Sequence, residues 1–141
     1  MKTQFTPYIL MNGRAKEAID YYRDVLEAEV KFSQTIGEGP ADEAANFKDD
    51  ELAFIAHAVL TIGDAVMMIA DIIPELPFQS GNQLSICVTA ADVSSAKRLF
   101  GKLSERGEVK LELKETYFSP AYGIVTDPFG VTFQIFAARP A

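Results

Sequence analysis

The sequence contains one cysteine, one histidine and fewer positively charged than negatively charged residues. Its one cysteine, Cys87, excludes an intrachain disulfide and fits a reducing compartment, so we expect a cytoplasmic protein. Lys and Arg number 13 against 20 Asp and Glu, which leaves a formal net charge of −7. Because an acidic surface repels phosphate backbones and anionic headgroups, we expect neither a nucleic-acid partner nor a membrane partner.

Long apolar runs and glycine-rich loops are missing as well. No apolar run approaches the roughly 20 residues that span a bilayer, and residues 1–7 lack the apolar core of a signal peptide. No glycine pair stands between a strand pattern and a helix pattern, as binding of NAD or S-adenosylmethionine through such a loop would require. At 141 residues the chain has the length of a single domain.

A duplicated pattern organises the chain. Residues 6–71 and 83–137 can each be read as a strand, a helix and then further strands. The helix patterns at 18–26 and 96–103 are each followed closely by Glu-Val-Lys. We therefore predict an α+β fold of two βαβββ modules related by a pseudo-twofold axis. Their mixed, mainly antiparallel sheet would curl around a cleft, which is where function should lie.

The module boundaries follow from composition. Residues 73–82 contain two prolines and a glycine and form the predicted linker. The first module then covers about 1–72 and the second about 83–141, within one domain.

Local signals predict several details of the elements. Gly63-Asp64 is a favoured hairpin pair. The second module should open with a strand over Gln83–Thr89. Asp92 is placed to cap the second helix, and Gly107 to end it. Gly37–Asn46 is polar and indicates a loop.

The arrangement and two motifs resemble the vicinal-oxygen-chelate superfamily, which includes glyoxalase I, extradiol dioxygenases and bleomycin-resistance proteins. Ala18–Tyr22 is similar to its Ala-x-x-Phe-Tyr helix signature, and Thr126–Val131 contains its Asp-Pro-x-Gly turn. Thr6–Tyr8, His57–Asp64 and Tyr122–Asp127 look most like the PhnB-like branch. The missing glycine loop argues against the methyltransferase label that PhnB-like proteins sometimes carry.

The resemblance also implies where a metal would sit. Enzymes of this superfamily typically place His and Glu ligands on the first and last strands of each module. The matching positions here are Thr6 or Pro7, Met68, Gln83 and Gln134. None is His, Asp, Glu or Cys, and a thioether does not suit a hard cation. We therefore expect no metal cofactor at this position, although a divalent ion at another site stays open.

The two glutamines define a candidate ligand site. The pseudo-twofold would bring Met68, Gln83 and Gln134 together, as a neutral site able to hydrogen-bond a small organic ligand. The alternative is that the glutamines bond each other, or water, and only fix sheet geometry. Further ligand-binding candidates are the aromatic residues Tyr8, Tyr117, Phe118 and Tyr122, whose alternative role is core or dimer packing.

His57 is the sole histidine, so any histidine-based acid–base step must use it, unless its role is purely structural. Cys87 lies within an apolar strand pattern, which indicates a packing group rather than a reactive thiolate.

Three function classes follow. The first is a metal-free small-molecule binding protein that sequesters its ligand as bleomycin-resistance proteins do, and the resemblance implies a homodimer. The alternative is a metal-dependent lyase, isomerase or dioxygenase with a non-standard site built from His57 and a loop carboxylate. The third is a purely structural or interaction module, whose cleft would be filled by its own side chains.

Overall fold

A computed structural model of the chain describes residues 3–72 and 76–139. It divides into two compact units, Met1–Gln79 and Ser80–Ala141, each built on a four-stranded sheet. The predicted linker, 73–82, includes residues 73–75, which lie outside the described residues. The α+β fold of two βαβββ modules is confirmed.

The first unit follows the strand–helix–strands order. Its elements are β1 (Tyr8–Met11), α1 (Ala15–Val25), β2 (Glu29–Thr35), the short α2 (Ala41–Ala44), a 3-10 turn (Asp49–Glu51), β3 (Ile55–Ile62) and β4 (Ala65–Asp71). The strands lie in the order β1-β4-β3-β2, with β1 parallel to β4 and the other pairs antiparallel.

Helix α1 covers one face of the first sheet. Its buried residues recur at helical spacing through Ala15, Ala18, Ile19, Tyr22 and Val25, which gives the helix a continuous apolar stripe. The stripe packs on β4, where alternate residues such as Met67 and Ile69 are buried. The opposite face, which we call the open face of the first sheet, carries half-exposed aromatic side chains.

The second unit repeats this order. Its elements are β5 (Ile86–Ala90), α3 (Val93–Arg106), β6 (Glu108–Lys114), β7 (Tyr122–Thr126) and β8 (Thr132–Ala137). The strands lie in the order β5-β8-β7-β6, with β5 parallel to β8. Phe100 and Leu103 of α3 are buried, as are Phe133 and Ile135 of β8, so the helix covers this face. The face away from α3 is the open face of the second sheet.

Two local predictions are confirmed. The hairpin between β3 and β4 turns at Gly63-Asp64, and Gly63 has φ of 58°. The Asp92 carboxylate accepts a hydrogen bond from the Ser95 backbone N–H at 2.7 Å and caps α3. This bond lowers the pKa of Asp92, because it favours the ionised form.

Two other predictions are corrected. Strand β5 begins at Ile86, so Gln83 lies in an exposed bend before the strand. The segment read as a loop, Gly37–Asn46, contains α2, which begins directly after Pro40. None of the described helices is long and apolar enough to cross a bilayer.

Candidate functional site

A row of side chains crosses all four strands of the first sheet. Cα pairing joins Tyr8 on β1 to Met68 on β4, Met68 to Val59 on β3, and Val59 to Phe32 on β2. Residues directly opposite each other in a sheet share a face, so these four line the open face. Tyr8 and Phe32 remain about half exposed at the two ends of the row. The row is apolar apart from the Tyr8 hydroxyl.

His57 stands beside this row, two residues before Val59 on the same face. The Tyr8 hydroxyl reaches across β4 and lies 2.8 Å from His57 Nδ1. The two rings are 5.6 Å apart between centroids, and the Phe32 ring is 5.9 Å from the imidazole on the other side. Partial burial raises the pKa of Tyr8, since burial disfavours the phenolate. The first unit thus presents an aromatic hydrogen-bonding group.

The second sheet has an equivalent row. Cα pairing joins Cys87 on β5 to Gln134 on β8, Gln134 to Ile124 on β7, and Ile124 to Leu111 on β6. Cys87 is exposed on this face, so its predicted role as a packing group is wrong. Its strand is an outer one of the sheet, and the side of β5 away from α3 leaves the thiol uncovered.

Gln134 is the centre of a chain of side-chain hydrogen bonds. The Tyr122 hydroxyl donates to Gln134 Oε1 at 2.7 Å, and Gln134 Nε2 donates to Ser85 Oγ at 3.0 Å. Both ends of the amide are therefore used. The predicted alternative, that the glutamines bond each other, does not describe Gln134, because its amide bonds Tyr122 and Ser85.

Aromatic rings flank the Tyr122 end of this chain of hydrogen bonds. Phe118 packs edge-on against Tyr122 at 4.8 Å between centroids and stacks on Phe136 at 6.0 Å. Tyr117 contacts Phe118 edge-on but is 93% exposed. The backbone carbonyls of Thr116 and Tyr117 accept from Arg139 Nη2, which ties this segment down. The segment that carries Tyr117 and Phe118 is thus attached to the open face of the second sheet.

The predicted site residues therefore form two groups. Tyr8 and Met68 lie together with His57 on the first sheet. Gln134, Tyr122 and Phe118 lie together on the second, whereas Gln83 is exposed and off the strand.

The sequence analysis did not name Phe32, Ser85 or Phe136 as site residues. Phe136 follows Gln134 by two residues, so strand alternation does predict that the two share a face. Ser85 lies before the start of β5 and Phe32 lies beyond a bulge in β2, and neither contact has a sequence signal.

The donor atoms of these faces do not fit the metal that the superfamily implies. Among residues 3–72 and 76–139, no three His, Cys, Asp or Glu side chains are grouped to hold a metal ion. On the last strand of the first unit, the residue in the row is Met68, which offers a thioether. On the last strand of the second unit it is Gln134, whose amide already makes two hydrogen bonds. A hard divalent cation prefers carboxylate, imidazole or free carbonyl ligands, so the observed set suits a neutral organic group better.

The family assignment rests on nearly the whole chain. The sequence model of the glyoxalase/bleomycin resistance protein/dioxygenase superfamily matches residues 4–135. The chain belongs to this superfamily, as its motifs indicated.

Individual proteins are similar to this chain over nearly its whole length. Protein YjdN of Escherichia coli (strain K12) is 30% identical over 92% of this chain and 92% of its own length. The crystal structure of protein PA1353 from Pseudomonas aeruginosa is similar with a TM-score of 0.86 at 28% identity, covering 99% of this chain and 100% of that one. The PhnB protein from Bacillus cereus is similar in fold with a TM-score of 0.78 at 21% identity, covering 96% and 100%.

Proposed function

We propose that this chain is a PhnB-like protein that binds a small organic molecule on the open faces of its sheets, without the metal usual in the superfamily. The observation that carries the proposal is the Ser85–Gln134–Tyr122 chain. Its groups are neutral, fixed by hydrogen bonds and flanked by aromatic rings. Small-molecule sites combine an apolar lining with a few oriented polar groups, and this face has both.

The first sheet supports the same proposal. Tyr8 and His57 provide one polar group, held by their mutual bond, beside the apolar Met68 and Val59. The Phe32 ring offers a flat surface for a planar or cationic ligand. The net charge of −7 would favour the approach of a cation over that of an anion.

We further propose that the protein is a homodimer in the cytoplasm. Large apolar side chains such as Phe5 and Leu84 are 96% and 87% exposed, which a partner chain would cover. The free thiol of Cys87 supports a reducing compartment. Light scattering during gel filtration should give twice the mass of one chain, and a monomer would contradict the dimer.

Ligand binding is tested by thermal unfolding against a library of small aromatic and cationic compounds in buffer with EDTA. We expect saturable stabilisation by at least one compound, because a ligand that binds only the folded state raises the unfolding temperature. Replacing Gln134 by Met keeps the volume but removes the amide. This change should weaken binding about fivefold, because the loss of one hydrogen bond between the amide and the ligand corresponds to about 1 kcal/mol.

Gln79→Met is the matched control, because Gln79 is exposed and outside both rows. It should leave the dissociation constant unchanged. The proposal is wrong if no compound stabilises the protein above noise, or if stabilisation occurs only after a divalent metal is added.

A further inference from the structure

His57 has surroundings that a purely structural histidine does not need. It is half-buried on the open face, with the Tyr8 hydroxyl on Nδ1 and the Phe32 ring on its other side. The hydrogen bond to Tyr8 uses Nδ1, and the other ring nitrogen, Nε2, is the atom that would accept a proton. A histidine fixed through one nitrogen on a face with exposed aromatic rings is arranged as a proton acceptor would be.

The identity of its partner supports this role. A tyrosine hydroxyl can donate to the bare Nδ1 of a neutral imidazole, and it can accept from the Nδ1–H of the other tautomer or of the imidazolium. The bond between Tyr8 and His57 therefore survives in each protonation state of the ring. A carbonyl partner would lose its bond in one of the tautomers. Partial burial, which raises the pKa of Tyr8, keeps the phenol protonated and able to play both parts at neutral pH.

The side chains beside His57 on the neighbouring strands β2 and β4 are uncharged at the positions that the pairing gives. The Cα partner of His57 on β2 is Gln34, and β4 contributes Met68 to the row beside it. Glu29 and Lys31 of β2 form an ion pair at 2.9 Å. Glu29 pairs with Thr61, four residues along β3 from His57, so it lies at the far end of the strand.

We infer that His57 is a catalytic base that removes a proton from a planar carbon acid, with Tyr8 as the residue that positions it. This inference rests on the proposed ligand binding and adds a reaction to it. Nε2 takes the proton from carbon, and Nδ1–H donates to the Tyr8 oxygen as the imidazolium forms. The electron pair of the broken C–H bond passes into the ligand, either onto a conjugated oxygen or into a bond that expels a leaving group. The proton then returns to another atom of the ligand or passes to water.

The planar shape of the substrate class follows from the side chains that surround His57. The Phe32 and Tyr8 rings stand on either side of the imidazole, and Met68 and Val59 form an apolar floor. A flat, conjugated molecule can stack on these rings, and its carbanion needs no metal because the ligand itself delocalises the charge.

The probe is 5-nitrobenzisoxazole, a planar carbon acid. A base removes the hydrogen on its ring carbon, the N–O bond breaks, and a coloured cyanophenolate is released without any cofactor. In buffer with EDTA, we expect kcat/KM of the His57→Gln variant to be at least tenfold lower than that of the wild-type protein. In His57→Ala, added imidazole should restore part of the rate. The wild-type rate should rise through the range of about pH 5 to 8, in which histidines lose their charge.

Tyr8→Phe tests the positioning role, because it keeps the ring and removes only the hydroxyl. It should lower kcat several-fold with little change in KM. A purely structural effect of Tyr8 would change KM together with kcat.

Binding is measured separately with benzimidazole, an unreactive molecule of the same shape. Saturable binding of benzimidazole together with a rate equal to that of His57→Gln would overturn the catalytic inference and leave the proposed binding function intact. Failure to bind or convert either molecule would overturn the planar substrate class, whereas the compound library decides the binding function by itself.

Discussion

Replacing Gly107 by alanine is expected to lower the free energy of unfolding by about 2 to 3 kcal/mol, a large change for one added methyl group. A Cβ at this position would lie 2.5 Å from the Thr126 carbonyl oxygen and 2.6 Å from that of Leu103. Both atoms belong to the backbone, so neither can rotate away. The end of α3 would have to move off the sheet edge, and urea unfolding followed by circular dichroism measures the cost.

Gly101→Ala is the matched control within the same helix. A Cβ on Gly101 meets nothing within 4 Å, and alanine is the better helix former. This change should therefore raise the free energy of unfolding by about 0.5 to 1 kcal/mol. If both substitutions changed the free energy of unfolding in the same direction, the close approach of backbone atoms at Gly107 would not be the cause of the destabilisation.

The second large effect is expected at Asp71, which is 4% exposed. Its Oδ1 accepts from the Ala15 backbone N–H at 3.0 Å, and its Oδ2 accepts from that of Ile55 at 2.9 Å. One carboxylate thus joins the start of α1 to the start of β3. Asp71→Ala leaves two N–H groups without this acceptor and should cost about 3 kcal/mol, measured by urea unfolding.

Two variants separate this effect from a general loss of negative charge. Asp71→Asn keeps one acceptor oxygen and should cost less than Asp71→Ala. Asp20→Ala removes an exposed carboxylate on α1, whose side chain is 67% exposed, and should change stability by no more than about 0.5 kcal/mol. A small effect of Asp71→Ala would mean that water replaces the carboxylate at both N–H groups.

Much of the fold could be predicted because its signals are local. The apolar spacing of α1, the Gly63-Asp64 turn and the Asp92 cap each depend on residues that are neighbours in sequence. Gly107 shows the limit of such reasoning. It does end α3, but its φ of −105° lies outside the left-handed region, so the glycine is required by the nearby backbone of Thr126. That approach is tertiary and has no local signal.

The candidate site was predictable only in part for the same reason. Alternation along β8 predicts that Gln134 and Phe136 share a face. The sequence did not indicate the late start of β5, which places Gln83 before the strand, or that Ser85 bonds the amide. The bond from Tyr8 to His57 spans an intervening strand and 49 residues of sequence. No pattern within either segment predicts it.

Metal analysis of protein purified without chelators tests the central claim most directly. We predict far less than one equivalent of any divalent metal per chain, because the side chains in the two rows are a thioether, a thiol, a phenol, apolar groups and a hydrogen-bonded amide. Stoichiometric nickel, zinc, manganese or iron that is lost together with ligand binding on chelation would contradict a metal-free site.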